Sequence, residues 1–327
     1  MGLPGRRAYP RFLLSGTWLA GCMEVILPDR GNGQKTTSST RPRRHWRRQF
    51  TWDRGKKPIT WPEEPISWLE AKHAEARPRL VVDLKAIGGL DCIDVQEDRV
   101  VIGALTTIRK IEVSDVIRAK LSLLAQAAGK LGSVQISNRA TIGGNLCNAA
   151  PSAETAPALL CLESLMEITG PQSTRMVPLC DFFLGPGQTI LQPGEVVTRV
   201  IVPLSRKASA GVYYKLSVRR AMDIVFMGVA VYLEVAGMTV HKARIGLGAV
   251  APTPLRARRA EALVEGRLFT PEAAWAAGAQ AAAESSPITD LRASAQYRRE
   301  MVEALTSRGL REAYGEAGKG YDHGDDD

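Results

Sequence analysis

The fold is decided by residues 135–157, which read Gln135-Ile-Ser-Asn-Arg-Ala-Thr-Ile-Gly-Gly-Asn-Leu-Cys-Asn-Ala-Ala-Pro-Ser-Ala-Glu-Thr-Ala-Pro157. Adjacent glycines, three asparagines and two prolines lie here between two apolar helical patterns, which predicts an ordered loop. Gly143 and Gly144 have no Cβ atom, so a bulky group can approach the main chain closely. Successive exposed amides would form a concavity suited to a diphosphate. The alternative interpretation of the two glycines is a tight turn between helices.

Further motifs lie in order on both sides of this segment. They include Leu80-Val-Val-Asp-Leu84, Val177-Pro-Leu-Cys-Asp-Phe-Phe-Leu-Gly-Pro-Gly-Gln-Thr189, Pro193-Gly-Glu195, Tyr214-Lys-Leu-Ser-Val-Arg-Arg-Ala-Met-Asp223, Ala243-Arg-Ile-Gly-Leu-Gly-Ala-Val-Ala-Pro-Thr-Pro254 and Asp290-Leu-Arg-Ala-Ser-Ala-Gln-Tyr-Arg-Arg299. With residues 139–160 they closely resemble the FAD-binding subunit of molybdenum-containing hydroxylases. That family includes the medium subunit of aerobic carbon monoxide dehydrogenase and the flavin domain of xanthine dehydrogenase. The resemblance covers residues 68–316, and its specificity lies in the order of several spaced motifs.

The resemblance implies an α+β fold of two domains. Residues 68–205 are expected to form a two-part FAD-binding domain of the vanillyl-alcohol-oxidase-like class. Residues 210–316 are expected to form a C-terminal domain in which a three-stranded antiparallel sheet precedes a helical bundle. Residues 317–327 are acidic and are predicted to be a disordered tail.

Residue patterns support this division independently of the resemblance. In the C-terminal half, β-branched runs predict a meander of strands at 212–216, 225–235 and 240–250. Amphipathic, Ala- and Leu-rich patterns predict helices at 254–264, 271–284 and 293–314. Sheet first and helices second is typical of an α+β domain.

The patterns of the N-terminal half are mixed. They predict strands at 80–84 and 99–103, one helix from the N-cap Ser114 to the stop at Gly132, and paired strands within 190–202 that turn at Pro193-Gly194. Residues 155–165 read equally well as a buried helix or a strand pair, because periodicity cannot separate the two over so short an apolar run.

The resemblance assigns the cofactor loop to five consecutive residues. Thr141, Ile142, Gly143, Gly144 and Asn145 match the family's second FAD loop, in which backbone amides and the threonine hydroxyl meet the diphosphate and the ribityl chain. No side-chain acid, base or nucleophile is required, and no Ser/His/Asp or Cys/His set is evident in the sequence. We therefore assign no catalytic residue and no metal ligand.

Three further residues are assigned by resemblance, each with a plainer alternative. Glu154 stands where the family has a cofactor-contacting aspartate, and it could equally be a first-turn acid favoured by the helix dipole. Val197 matches a position that packs on the flavin, or it is an ordinary strand core residue. Lys215 matches a lysine near the flavin, where a cation would stabilise the anionic reduced ring. Its alternative is a surface strand lysine.

Composition excludes several classes of site. The cysteines are far apart and form no Cys-x-x-Cys pair, which argues against iron–sulfur ligation within this chain; they are Cys22, Cys92, Cys147, Cys161 and Cys180. Their odd number fits a reducing compartment, so we expect a cytoplasmic protein. No run of about 18 apolar residues is present, so we expect no membrane span.

The resemblance implies an electron-relay subunit with FAD as its cofactor. The implied partners are a molybdopterin-binding large subunit and a small subunit with two 2Fe-2S clusters, assembled as a heterohexamer that is a dimer of heterotrimers. The flavin subunit would receive electrons from the clusters and pass them to a terminal acceptor. The alternative is a structural subunit or defective fragment that binds FAD poorly.

The first 67 residues depart from the family. They carry 13 Lys or Arg and five Asp or Glu, whereas the rest of the chain is nearly neutral, so nothing beyond them suggests nucleic-acid binding. Three interpretations compete: an export signal ending at Cys22, a basic arm at 41–48, and an out-of-frame, misassigned or truncated start near residue 67. The last rests on the absence of the family's first FAD loop, where this chain reads Trp61-Pro-Glu-Glu-Pro-Ile-Ser67.

Overall fold

The computed structural model describes residues 24–27, 80–219 and 222–319. The export, nucleic-acid and reading-frame interpretations of residues 1–67 therefore concern a segment of which only 24–27 are described. The predicted disordered tail at 317–327 also lies mostly outside the described residues, but its first three residues, 317–319, are helical, which corrects the prediction for them.

Fourteen strands occur in the described ranges. They are β1 (Glu24–Leu27), β2 (Leu80–Asp83), β3 (Ile93–Val95), β4 (Arg99–Gly103), β5 (Leu165–Thr169), β6 (Thr174–Pro178), β7 (Phe183–Gly185), β8 (Gln188–Thr189), β9 (Val196–Pro203), β10 (Ser209–Leu216), β11 (Met227–Ala236), β12 (Thr239–Gly248), β13 (Leu255–Arg256) and β14 (Arg267–Leu268).

The same ranges contain nine α-helices and a 3₁₀ turn at Leu179–Asp181. The helices are α1 (Ile108–Val113), α2 (Asp115–Lys120), α3 (Ser122–Gly129), α4 (Val134–Ser137), α5 (Ile142–Cys147), α6 (Thr155–Cys161), α7 (Arg258–Val264), α8 (Pro271–Glu284) and α9 (Ala295–Lys319). None of these helices has the length and apolarity needed to cross a bilayer.

The N-terminal unit, residues 80–205, is built on a five-stranded antiparallel sheet in the order β3-β4-β9-β5-β6. Its strands are short apolar runs, and Val100 and Ile102 of β4 are fully buried. The core of this unit continues through Leu124, Leu146 and Leu159 of α3, α5 and α6. The small helices therefore share one hydrophobic core with the sheet.

The C-terminal unit, residues 209–319, has a sheet in the order β10-β11-β12-β13, with β14 added to β12. The three predicted strands are confirmed, and two short strands extend the sheet to five. Alternate residues of a strand face opposite sides. Val229 accordingly packs in the core with Leu310 of α9, whereas Ala230 packs in the core of the N-terminal unit. This sheet is therefore covered by α3 and α6 on one face and by α9 on the other.

Several sequence predictions need correction. The expected loop at 135–157 is about half helical, since it contains most of α4, all of α5 and the start of α6. The single helix expected after Ser114 is broken at Leu121, whose φ of −134° and ψ of 49° are not helical. Only β9 forms within the stretch predicted as paired strands at 190–202. The ambiguous stretch 155–165 is a helix that ends before β5 begins.

Candidate functional site

The predicted cofactor loop folds as helix α5, capped by its own first residue. Thr141 is the N-cap, and its Oγ1 accepts a hydrogen bond from the Gly144 N–H at 3.1 Å. A threonine hydroxyl in this position satisfies one of the free donors of a helix start. The Asn145 N–H in turn donates to the Thr141 carbonyl at 2.9 Å. The glycine pair therefore lies inside the first turn of a helix.

The other two amides of this turn bond to the chain segment after β4. The Ile142 N–H donates to the Thr106 carbonyl at 3.0 Å, and the Gly143 N–H donates to the Ala104 carbonyl at 2.8 Å. All four N–H groups from 142 to 145 thus have acceptors within the protein. The prediction that Gly143 and Gly144 present exposed amides to an anion is wrong, because the neighbouring backbone supplies their acceptors.

Gly143 is required for close packing. A Cβ atom at this position would lie 2.7 Å from the Ala104 carbonyl oxygen and 2.8 Å from the Ala104 Cβ. Real Cβ atoms do not approach backbone so closely, so only glycine lets α5 lie against this segment. The absence of a side chain at Gly143 therefore allows the close contact between α5 and Ala104.

Asn145 carries the first polar group that the protein does not satisfy. Its side chain is buried, and its Oδ1 accepts a hydrogen bond from Thr155 Oγ1 at 2.5 Å. Its Nδ2 has no hydrogen-bond partner among the described residues. The side chain is therefore held at one end and offers a donor at the other.

Glu154 and Lys215, predicted separately, meet across the two units. Lys215 Nζ lies 3.2 Å from Glu154 Oε1, and the two side chains are 9% and 1% exposed. The ammonium also donates to the carbonyls of Lys130 and Asp223, each at 2.9 Å. An ammonium has three protons to donate, and all three are used here. The surface-lysine alternative is therefore wrong, and no proton of Lys215 is left for a direct flavin contact.

The second oxygen of Glu154 and a neighbouring phenol complete a buried polar cluster. Glu154 Oε2 and the Tyr213 hydroxyl are both buried without a hydrogen-bond partner in the part of the chain that the structure describes. Burial raises the pKa of Glu154, and the charge of Lys215 opposes that rise. Burial, together with the nearby Glu154 carboxylate, raises the pKa of Tyr213 well above its ordinary value.

Besides Thr155, Tyr213 is the residue of this site that the sequence analysis left unassigned. It lies two positions before Lys215 on β10, and residues two apart on a strand face the same side. That spacing was readable once Lys215 had been assigned. We call the set of Asn145, Glu154, Thr155, Tyr213 and Lys215 the junction cluster, because it lies where the two units meet.

Val197 lies outside the junction cluster. It is fully buried in β9 and pairs with Ile168 of β5, as its strand-core alternative required. It belongs to the same hydrophobic core as Ile142 and Leu146 of α5. The backbone also links the two elements, since the Ala104 N–H donates to the carbonyl of the next residue, Thr198, at 2.9 Å. The structure therefore gives Val197 a place in the sheet that supports α5.

A cleft of about 700 Å³ opens elsewhere between the two units. Its walls include Leu165, Cys180, Arg256 and Glu261, and none of the eight predicted site residues lines it. In the described ranges, no group of three or more His, Cys, Asp or Glu side chains is arranged to hold a metal ion. The junction cluster remains the place where the predicted residues converge.

Comparison with known proteins decides the family. Residues 67–205 match the family described as the FAD binding domain in molybdopterin dehydrogenase, and residues 212–313 match the CO dehydrogenase flavoprotein C-terminal domain. The carbon monoxide dehydrogenase medium chain of Hydrogenophaga pseudoflava is 35% identical over 239 residues, which is 73% of this chain and 83% of that one. The chain belongs to the FAD-binding medium subunits of the molybdenum hydroxylases.

Other relatives and solved structures agree with this placement of the medium subunit. The xanthine dehydrogenase FAD-binding subunit of Escherichia coli O157:H7 is 30% identical over 252 residues, covering 76% of this chain and 86% of that one. The carbon monoxide dehydrogenase structure from Hydrogenophaga pseudoflava superposes with a TM-score of 0.72 at 36% identity, covering 75% of this chain and 85% of that one. The structure of quinoline 2-oxidoreductase from Pseudomonas putida 86 superposes with a TM-score of 0.68 at 26% identity, covering 72% of this chain and 82% of that one. The predicted family, α+β fold, oxidoreductase class and FAD cofactor are confirmed.

The side chains of the junction cluster fit FAD better than the backbone amides of residues 142–145 do. Native proteins pair nearly all buried polar groups, so an unpaired one indicates a further polar partner. Asn145 Nδ2, Glu154 Oε2 and the Tyr213 hydroxyl are three such groups. A flavin nucleotide carries phosphate, hydroxyl and carbonyl groups that match a donor, an acceptor and a phenol. The amide concavity predicted from the glycines does not fit, because its N–H groups are engaged.

Proposed function

We propose that this medium subunit holds FAD at the junction cluster and relays electrons from the 2Fe-2S clusters of a small partner subunit to a terminal acceptor. A molybdopterin-binding large subunit would complete a heterohexamer made of two heterotrimers in the cytoplasm. Support comes from the two family matches and from relatives that are themselves named as chains or subunits. The observation that carries the proposal is the unpaired, buried Nδ2 of Asn145 beside the Glu154–Lys215 pair.

The chain's own residues supply binding and electrostatics. When bound, FAD supplies the transfer of one or two electrons. Thr141, Ile142 and Gly143 fix α5 against the segment after β4, and Gly144 completes its first turn. Asn145, oriented by Thr155, would hold the cofactor by donating from its unpaired Nδ2. Val197 supports this arrangement from the sheet below.

The Glu154–Lys215 pair sets the charge of the site. An unpaired buried carboxylate would repel an anionic cofactor and would be costly to bury. Lys215 compensates that charge while its other two protons hold the carbonyls of Lys130 and Asp223. Lys215 would therefore keep the site from repelling an anionic cofactor, without a direct hydrogen bond to it. This is an indirect form of the role that the sequence suggested for it.

The binding test compares two asparagines of the same segment. Asn145→Asp keeps an oxygen for the Thr155 hydroxyl but replaces the Nδ2 donor by an acceptor. Asn148→Asp makes the same charge change at an exposed position and is the matched control. Loss of a buried hydrogen bond of this kind costs about 1–3 kcal/mol. We therefore expect FAD affinity, measured by flavin fluorescence titration, to fall about five- to 150-fold for Asn145→Asp. Equal affinities of the two variants would refute the assignment.

The relay is tested on the complex. We expect the native complex, purified through a tag on this chain, to contain molybdenum, iron and FAD in fixed proportion. Reducing substrate should bleach the flavin absorbance only when the iron–sulfur subunit is present. A tagged chain that binds FAD but recovers neither molybdenum nor iron would contradict the relay while leaving the binding proposal intact.

One observation favours a second function, a structural subunit that binds FAD poorly. The N–H groups of residues 142–145 all bond within the protein, which removes the expected amide contacts to a diphosphate. This candidate predicts that the purified chain is colourless and that excess FAD leaves its unfolding temperature unchanged. A yellow protein whose unfolding temperature rises with added FAD would exclude it.

A further inference from the structure

Helix α6 lies between the two units and is tied to the C-terminal sheet along its length. All seven of its residues are buried. Cys161 Sγ donates to the Ala230 carbonyl of β11 at 3.4 Å. A Cβ atom on Gly246 of β12 would collide with the Pro157 carbonyl, so that strand approaches the helix as closely as backbone allows. The helix is therefore packed closely against the C-terminal sheet.

Each end of α6 carries a glutamate paired with cations of the other unit. Glu154, at the start, pairs with Lys215 of β10. Glu163, just past the end, accepts from Lys242 Nζ at 2.5 Å, Arg244 Nε at 2.8 Å and Arg256 Nη1 at 3.1 Å. These three cations belong to β12 and β13. One carboxylate of the N-terminal unit thus gathers three cations of the C-terminal unit.

Glu163 occupies a backbone position that normally favours glycine. Its φ is 51°, in the left-handed region. The Ser164 N–H donates to the Leu159 carbonyl at 3.1 Å and the Glu163 N–H donates to the Leu160 carbonyl at 3.2 Å. These two bonds define the helix ending in which a left-handed residue follows the last turn, most often glycine. A glutamate here is strained, and such strain persists only where the surroundings over-determine it.

Two of the three cations around Glu163 are themselves held in place by carboxylates of the C-terminal unit. Arg244 Nη1 contacts Glu265 at 2.6 Å, and Arg256 contacts Glu261 through Nε at 2.9 Å and Nη2 at 2.6 Å. Each guanidinium is therefore oriented before it meets Glu163. The ionic contacts act as a fixed socket for one side chain from the other unit.

We propose that Glu163 is a positioning residue for the cofactor site. By anchoring the end of α6 in this socket, Glu163 fixes the position of the helix along its axis and its rotation about that axis. It thereby fixes the place of Glu154 beside Lys215 at the start of the helix. The helix is about 10 Å long, so a rigid shift at one end reaches the other undiminished. The effect on cofactor binding rests on the proposed function, whereas the effect on the position of α6 does not.

The experiment uses variants that separate charge from backbone strain. Glu163→Gly removes the carboxylate and relieves the left-handed strain, so the fold is retained. Glu163→Asn removes the charge with a residue that tolerates this conformation and serves as the second variant. Glu163→Asp keeps the charge and is the rescue. Glu97→Gln breaks an exposed pair with Arg206, at 3.1 Å, and is the matched control because those side chains are 90% and 78% exposed.

Two measurements read the outcome in the full chain. The first is FAD affinity with the visible circular dichroism of the bound flavin, and the second is hydrogen exchange of the amides from 149 to 157 without FAD. We expect Glu163→Gly and Glu163→Asn to weaken FAD binding by about tenfold and to speed exchange. Glu163→Asp should restore part of both, and Glu97→Gln should change neither.

The results separate this proposal from the function it builds on. Variants of Glu163 with the affinity, dichroism and exchange of the parent chain would overturn the positioning role. If the parent chain itself fails to bind FAD, the proposed function falls, and the exchange rates alone decide the role of Glu163. Faster exchange at 149–157 then supports the anchor, and unchanged exchange refutes it.

Discussion

At the scale of single residues, burial and pairing decide what each side chain can do. Lys215 and Glu154 form a nearly dry ion pair with only a small exposed fraction. A buried pair of this kind adds little net stability, but removing one partner leaves a buried charge uncompensated. The chemistry of Glu154 therefore depends on a residue of the other unit.

This pairing predicts a pH-dependent cost for Lys215→Met. With the lysine gone, Glu154 is buried as an unpaired carboxylate at neutral pH, and we expect a loss of about 3 kcal/mol in the free energy of unfolding. Because burial already raises the pKa of Glu154, the variant can take up a proton as the pH falls. The deficit relative to the parent chain should therefore shrink toward acid pH. Urea unfolding across pH measures it, and Lys215→Met with Glu154→Gln should recover much of the loss. A deficit that does not change with pH would contradict this account.

At the scale of elements, α8 and α9 approach each other through a glycine. A Cβ atom on Gly278 of α8 would collide with Ser307 Oγ and lie 2.5 Å from the Glu303 carbonyl of α9. Gly315, also helical, has nothing within 4 Å of its Cβ position. The same residue type therefore plays opposite parts in neighbouring helices. One glycine permits the crossing, and the other only lowers helix propensity.

The two glycines predict opposite signs for the same substitution. Gly278→Ala should lower the free energy of unfolding by about 1–3 kcal/mol, because the helices must move apart. Gly315→Ala should raise it by about 0.5–1 kcal/mol through helix propensity. Urea unfolding of both variants gives the comparison. A Gly278→Ala variant as stable as Gly315→Ala would show that the crossing is looser than described.

At the scale of the whole molecule, carboxylates with low pKa values join separate parts of the chain. Partial burial alone would raise the pKa of Glu163, but hydrogen bonds from Lys242 and Arg244 and their charges lower it to about 2. Burial would likewise raise the pKa of Asp290. Hydrogen bonds from Arg298 and from the backbone N–H groups of Arg292 and Ala293 instead lower it to about 2. Asp290 thereby ties the loop before α9 to that helix.

These shifts predict where acid weakens the fold. A carboxylate whose pKa is lower in the folded chain stabilises it above the unfolded pKa, and the gain is lost as pH falls to the folded pKa. For Glu163 that interval runs from its ordinary value of 4.5 down to about 2. We expect the free energy of unfolding to fall across this range and to fall less steeply in Glu163→Gln. Glu97→Gln should follow the parent curve. Parallel curves for all three would remove Glu163 from the acid response.

Several features follow from local sequence because their causes are local. Strand β4 has the predicted bounds, and α8 begins and ends where its amphipathic pattern and N-terminal proline indicated. Both signals lie within a few residues of what they specify. The helix break at Leu121 and the lack of a strand at 190–195 could not be predicted in this way, because tertiary packing and backbone partners from other segments decide where those elements stop.

The sequence by itself determined the family, the α+β class, the three long strands of the C-terminal sheet and the eight residues to examine. Spaced motifs and hydrophobic periodicity are properties of the chain alone, so they survive without coordinates. Only the tertiary structure decided that the amides of Gly143 and Gly144 are engaged, that Lys215 pairs with Glu154 and that Glu163 sits in a socket of three cations. Those outcomes depend on which backbone carbonyls and charged side chains, distant in sequence, the fold places beside these amides and side chains. Residues 61 positions apart carry no local signal that they will meet.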